Sequence, residues 1–299
     1  MRFTKMHGLG NDFVVVDSVS QVIRMTPEDL RLVADRRFGV GFDQMLVAER
    51  ATDESADLRM RIFNTDGTEA GQCGNGLRCF AQFALARGLA EGPEIKVQTS
   101  ERVVRVVVNG DAGARVDMGP PALAPEAVPF VPPKVSKRRR AGADASEGTY
   151  ALAVADTSVD VFPVSMGNPH AVIRVERVDK SPVAKIGRAI QASAAFPDSA
   201  NVGFMEVLTE GHIRLRVFER GVGETLACGS GACAAVIAGH VQGWLAETVR
   251  VSLPGGDLDV RWRGGRGSVW LAGPATLVYE GELSPGFSRG APAPGAVFR

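Results

Sequence analysis

The chain has 299 residues, with 34 Lys+Arg against 34 Asp+Glu, a formal net charge of +0 and only 6% aromatic residues. That balance leaves no bulk field to attract nucleic acid or an anionic membrane, and no basic-aromatic stripe suggests stacking on bases. Four cysteines, no apolar leader after Met1-Arg-Phe-Thr-Lys-Met-His-Gly8 and no long apolar run point to free thiols, no membrane span and a cytoplasmic protein.

In chain order, residues 13–17 and 45–48 read as strands. Between them a helix starts at Thr26-Pro27-Glu28-Asp29, where Thr caps and Pro suits the first turn. Leu58-Arg-Met-Arg-Ile-Phe63 alternates apolar residues with Arg, the period of a strand. A second helix follows over 74–88, with Leu77, Phe80 and Ala84 at helical spacing. Residues 102–108 and 114–118 are strands. A proline-rich connector then runs from Pro120-Pro121 to Pro132-Pro133. The segment 134–149, with Lys137-Arg-Arg-Arg140, reads as an exposed loop; contact with a nucleic acid or a protein is its alternative use. Strands are expected at 151–155, 159–164 and 171–175, then a third helix after Ser181-Pro182, then strands at 202–207 and 213–218. A fourth helix over 229–243 carries Val236, Ile237 and Val241, and strands at 249–253, 258–262 and 275–279 follow. Residues 284–299 read as a flexible tail.

Two stretches match without a gap. Leu58-Arg-Met-Arg-Ile-Phe63 aligns with Ile213-Arg-Leu-Arg-Val-Phe218, and ten residues after each Phe stands a Cys-Gly-x-Gly, at Cys73 and Cys228. Glu69 falls opposite Glu224. Upstream, Gly10-Asn11 matches Gly167-Asn168, and Gln44 matches Asn201 at the same distance from its Asn. The chain therefore reads as a duplicated half-domain. The expected fold is α+β, with two pseudo-symmetric domains, each a curved, mostly antiparallel sheet around a central helix. Domain boundaries fall at 1–118 plus about 274–283, and at 119–273.

Cys73 and Cys228 each directly precede a helix, where free N–H groups and the helix dipole favour thiolate. The glycines after each Cys let a ligand approach the backbone, and the free N–H groups of the helix start suit a carboxylate. Two equivalent thiols suit a base and an acid on opposite faces of one carbon, which is stereochemical inversion. The spacings Cys-x5-Cys and Cys-x4-Cys are not the usual zinc pairing, so no metal is expected. Cys79 and Cys233 do not align and read as core or lining residues. Asn11, Asn64, Asn168, Asn201 and Gln44 lie at strand ends or loops beside the repeat; a turn role is the alternative for each Asn taken singly. Glu219-Arg220 stands where Asn64-Thr65 ends the first copy, so the two ends of a ligand would be held differently. His170, in Gly167-Asn-Pro-His170, suits either a site hydrogen bond or the core.

Taken whole, the motifs around Asn11, from Phe63 to Cys79, at Gly167-Asn-Pro-His170 and from Glu219 to Cys233 resemble the diaminopimelate epimerase family from about residue 1 to residue 283. The resemblance implies a pseudo-symmetric two-domain fold with the active site in the cleft between domains. It also implies interconversion of LL- and meso-2,6-diaminopimelate, a step toward lysine and peptidoglycan, in a homodimer. It assigns Cys73 and Cys228 as the acid–base pair. Gly74, Asn75, Gly229 and Ser230 hold the carboxylate at the reacting carbon, and Asn11, Gln44, Asn64, Asn168, Asn201, Glu219 and Arg220 bind substrate. His170 and Glu219 support catalysis. Ala171 departs from a Cys common in the family at that place. No cofactor, including pyridoxal phosphate, is expected, since the thiol pair fills both proton-transfer roles. Proline or hydroxyproline racemase-like chemistry is the nearest alternative, while the related phenazine-pathway isomerases lack this Cys pair. A non-catalytic anion-binding module would not need both thiols, and a redox-regulated structural protein would call for vicinal or Cys-x-x-Cys thiols.

Overall fold

The computed structural model describes residues 1–71, 73–110, 113–133, 137–138, 148–154, 157–284 and 287. The chain divides into two compact units, Met1–Val116 with Gly273–Arg299, and Asp117–Ala272.

In the first unit Arg2–Gly8 and Asn11–Asp17 form a hairpin, and Asn11–Asp17 runs parallel to Gln44–Arg50. Gln44–Arg50 lies antiparallel to Leu58–Asn64, which also pairs with the short Glu69–Ala70 and, in parallel, with Glu94–Gln98. Val103–Val108 and Ala114–Asp117 continue antiparallel, and Thr276–Glu282 pairs with Arg2–Gly8. Helix α1 (Pro27–Ala34) connects the first parallel pair, and α2 (Gly74–Ala86) the second. Thr26 caps α1 in a reciprocal box with Asp29, as the Thr-Pro start leads one to expect.

The second unit repeats these pairings in the same order. Thr149–Val154, with Lys137–Arg138 beside it, pairs with Thr157–Ser165 and that strand with Pro169–Arg174. Pro169–Arg174 runs parallel to Asn201–Thr209, which lies antiparallel to His212–Glu219. His212–Glu219 takes the short Gly223–Thr225 and, in parallel, Thr248–Leu253. Gly256–Arg261 and Trp270–Gly273 close the series. Helices α3 (Val183–Gln191) and α4 (Gly229–Val241) occupy the two parallel crossovers. The register repeats as well: Phe13 opposes Gln44 and His170 opposes Asn201.

Matched details fix the central helices. Arg61 forks onto Glu69 at 2.9 and 2.8 Å, and Arg216 onto Glu224 at 2.6 and 2.9 Å, each pinning a short strand ahead of a thiol. Both helices end in a glycine at positive φ, Gly88 at 64° and Gly243 at 70°, with Leu89 N–H on Ala84 O and Trp244 N–H on Gly239 O. In α4 every residue from Gly229 to Gly239 except Ser230 is buried, so the helix is a core element on all sides.

Three strands of four or more residues escape the pattern reading, Arg2–Gly8, Glu94–Gln98 and Trp270–Gly273, as do the two- and three-residue strands Glu69–Ala70, Lys137–Arg138 and Gly223–Thr225. Phe3, Thr4, Lys5 and Met6 are buried consecutively, so the first strand has no polar face to give period two. Helices α2 and α4 end at Ala86 and Val241, two residues short of the expected ends, because the glycine caps stand outside the helical turns. Most of the expected loop at 134–149 and nearly all of the expected tail at 284–299 lie outside the described residues.

Candidate active site

The first unit builds its share of the site from one hairpin and one helix start. Leu9 and Gly10 form the two-residue turn between the first strands, both at positive φ (58° and 87°). A leucine there costs roughly 1–3 kcal/mol, and such strain persists where surrounding structure enforces it. The turn delivers Asn11 beside Cys73: Asn11 Oδ1 lies 3.8 Å from Cys73 Sγ and accepts from Asn75 Nδ2 at 3.3 Å. Cys73 is the N-cap of α2, and its sulfur accepts the Gly76 N–H at 3.3 Å. Gln44 donates to Asn64 Oδ1 at 3.1 Å, and Asn64 donates to Thr68 Oγ1 at 3.1 Å. These two amides are cross-strand partners.

The second unit places Cys228 at the N-cap of α4, with Ser230 Oγ 3.7 Å from the sulfur. Asn168 Oδ1 lies 2.9 Å from His170 Nε2. Because that oxygen only accepts, the ring carries its proton on Nε2. Asn201 accepts the Arg220 N–H at 2.9 Å and donates toward Pro169 O at 3.5 Å, while Arg220 donates to Asp198 O at 2.9 Å. Glu219 accepts from Thr225 Oγ1 at 2.5 Å.

The glycine three residues after each thiol has a steric reason. A Cβ on Gly76 would meet Cys73 Sγ at 3.4 Å and Leu46 at 3.3 Å; on Gly231 it would meet Cys228 Sγ and Val217 at 3.1 Å. A methyl at either position would crowd the sulfur, and at Gly231 the sulfur or Val217 would have to shift by a few tenths of an ångström.

The electrostatics of the two halves diverge. Arg78, entirely buried in α2, donates to Asn75 Oδ1 at 3.0 Å and to the Pro274 carbonyl at 3.2 Å. The position that matches it in α4 is Cys233, also fully buried. Conversely, Glu219 replaces Asn64 near the second thiol. Burial, then the Glu219 carboxylate, push the Cys228 thiol well above its ordinary value, against hydrogen bonds from Gly231 and Ser230 that act the other way. The expectation that both helix starts favour thiolate is therefore corrected for Cys228: desolvation outweighs the helix N-terminus, and Cys228 holds its proton. Burial likewise pushes Cys79 up to about 12. His170, 1% exposed, is lowered to about 3 by burial and then by the nearby Arg220 charge, so it is a neutral ring.

The structure thus gathers Asn11, Cys73, Gly74 and Asn75 at one helix start and Gln44 with Asn64 on neighbouring strand ends. In the second unit it pairs Asn168 with His170 and Asn201 with Arg220, and sets Glu219 and Ser230 at Cys228, which Gly229 follows. Sequence reasoning passed over Arg78, Asp43 and Thr225. Arg78 was legible only as a helix residue, and nothing in its neighbours announces complete burial. Among the described residues no group of three or more His, Cys, Asp or Glu side chains is arranged to hold a metal ion, and no helix is long and apolar enough to cross a membrane.

The family model described as diaminopimelate epimerase matches residues 3–124 and 162–278. A diaminopimelate epimerase of Thioalkalivibrio sulfidiphilus is 50% identical over 285 residues, covering 95% of this chain and 99% of the relative. Two solved structures share the fold at low identity. A phenazine biosynthesis protein of the PhzF family from Bacillus anthracis has a TM-score of 0.65 at 18% identity, over 95% of this chain and 99% of that one. A hydroxyproline epimerase from Agrobacterium vitis, with trans-4-hydroxy-L-proline bound, has a TM-score of 0.64 at 16% identity, over 94% of this chain and 91% of that one.

Proposed function

The chain belongs to the diaminopimelate epimerase family, and from that premise we propose that it interconverts LL- and meso-2,6-diaminopimelate by proton transfer between two cysteines, with no added cofactor. The observation that carries the reading is the matched pair of thiols, Cys73 and Cys228, each at the N-cap of a central helix.

The sulfur of Cys73, as thiolate, removes the α-proton from one face. The S–H of Cys228 delivers its proton to the other face, and the enzyme is left with the proton on Cys73 and the charge on Cys228. The reverse direction then starts from that state. Charge that builds up at the α-carbon spreads into the substrate carboxylate, where the N–H groups of Gly74, Asn75, Gly229 and Ser230 would receive it. The raised thiol of Cys228 supports its role as acid in the first direction. The neutral His170 ring and the Glu219 carboxylate would hold the surrounding hydrogen bonds, while Asn11, Gln44, Asn64, Asn168, Asn201, Glu219 and Arg220 would bind substrate. The divergence of Glu219-Arg220 from Asn64-Thr65 fits a ligand whose two ends differ in role.

A homodimer in the cytoplasm completes the proposal. Thr276–Glu282 exposes Leu277, Val278 and Tyr279 in succession, an apolar run that suits pairing with a second copy. Val278→Lys would then give a monomer by light scattering; an unchanged dimer would exclude this edge.

Racemisation of proline or hydroxyproline is the second reading, favoured by fold alone. Parallel assays with LL-diaminopimelate, L-proline and trans-4-hydroxy-L-proline decide between them. Turnover of diaminopimelate alone supports the proposal; turnover of an imino acid alone overturns it.

A further inference from the structure

Two ends of one hydrogen-bond chain dictate how Asn11 faces Cys73. A guanidinium only donates and a carboxylate only accepts, so each fixes the amide it touches. Arg78 donates to Asn75 Oδ1 at 3.0 Å, which turns Asn75 Nδ2 toward Asn11 Oδ1 at 3.3 Å. At the other end Asp43 Oδ2 accepts from Asn11 Nδ2 at 2.9 Å. Both constraints agree, and they aim the acceptor oxygen of Asn11 at the Cys73 sulfur, 3.8 Å away. Asp43 is itself held: Arg36 donates to it at 2.8 Å and the Asp12 N–H at 3.2 Å. Arg36 also forks onto Asp12 at 3.0 and 2.7 Å, and Lys5 reaches the same carboxylate at 2.5 Å.

We propose that Asp43 is a positioning residue that locks the Asn11 amide with its oxygen toward Cys73, an inference that rests on the epimerase reading above. The oxygen is the right group for the half of the cycle in which Cys73 carries the proton, because an S–H can donate to it. An inverted amide would present N–H groups to the sulfur instead, hold it as thiolate and slow return of the proton. Asp43 acts only through Asn11 and touches neither sulfur nor substrate.

The test is a double-mutant cycle of Asp43→Asn with Asn11→Ala, each variant checked for fold by circular dichroism. Kinetics with LL-diaminopimelate and the alkylation rate of Cys73 at pH 7 are the readouts. Asp43→Asn keeps the volume but can donate, so it permits the inversion. The expected result is a kcat loss of ~10-fold or more with Asp43→Asn alone, against less than about twofold in the Asn11→Ala background, since coupled residues do not add. Cys73 should alkylate faster in Asp43→Asn, which a merely structural role would not produce. An equal kcat loss in both backgrounds, or no loss in either, would overturn the proposal. Should Asp43→Asn fail to fold, the cycle is run with Asp43→Ser, whose hydroxyl can donate as well as accept, and the same non-additivity is required. A wild-type protein inactive on diaminopimelate would sink the epimerase reading itself, and the alkylation comparison would still judge Asp43.

Discussion

Acidification should weaken the second unit through His170. The ring is buried and lowered from 6.5 to about 3, mainly by desolvation and then by Arg220. The unfolded chain therefore binds a proton below about pH 6.5 that the folded chain refuses down to about pH 3. Stability is complete above pH 6.5 and falls as pH drops through that window. At about 1.4 kcal/mol per unit, the loss is ~2 kcal/mol at pH 5 and approaches ~5 kcal/mol near pH 3. Trp244, Trp262 and Trp270 are the 3 tryptophans of the chain, and all lie in the second unit, so urea unfolding followed by Trp fluorescence reports on the unit that holds His170. His170→Gln keeps a donor for Asn168 but does not titrate. Between pH 7.5 and pH 5 the wild type should lose ~2 kcal/mol more than the variant. Asp12, lowered to about 2, also costs stability in acid, but equally in both proteins. Parallel pH profiles for wild type and variant would refute the claim that His170 is buried neutral.

Two further outcomes follow from the geometry of the thiols. Gly231→Ala would put a methyl 3.1 Å from both Cys228 Sγ and Val217. Overpacking of ~1–3 kcal/mol should exceed a helix-propensity gain of at most ~1 kcal/mol, giving a lower Tm, and the displaced sulfur should lower kcat ~10-fold or more. A higher Tm with kcat intact would show that the sulfur has room to move. In iodoacetamide labelling at pH 8 with peptide mapping, half-exposed Cys73 should react first, ahead of buried Cys79, Cys228 and Cys233. Labelling of Cys79 before Cys73 would contradict the burial assigned to it.

Much of this was legible because the duplication is written in chemistry-bearing residues. The Arg-x-Arg strands with their Glu69 and Glu224 partners specify one ion pair that appears twice in the structure, and the Cys-Gly-x-Gly turns twice place a thiol at a helix N-cap. What stayed hidden depends on burial. Lys5 reads as a polar residue that breaks a strand pattern, yet it is buried against Asp12. Glu94–Gln98 alternates well, but five residues between Gly92-Pro93 and Thr99-Ser100 are hard to separate from the turns around them. A helix N-terminus is visible in sequence; the desolvation that overrides it at Cys228 is a property of packing. Asp43 and Arg78 matter through amide orientation, which only the donor and acceptor geometry around Asn11 and Asn75 reveals.

The central claim is proton transfer between two thiols without a cofactor. Proton NMR of the reduced protein with LL-diaminopimelate in D2O, for wild type, Cys73→Ala and Cys228→Ala, tests it most directly. The account predicts deuterium at the α-position together with meso product for the wild type, and loss of epimerisation in both folded variants. Epimerisation above a few per cent of wild type in either variant, or no exchange by the wild type from LL- or meso-substrate, would contradict it.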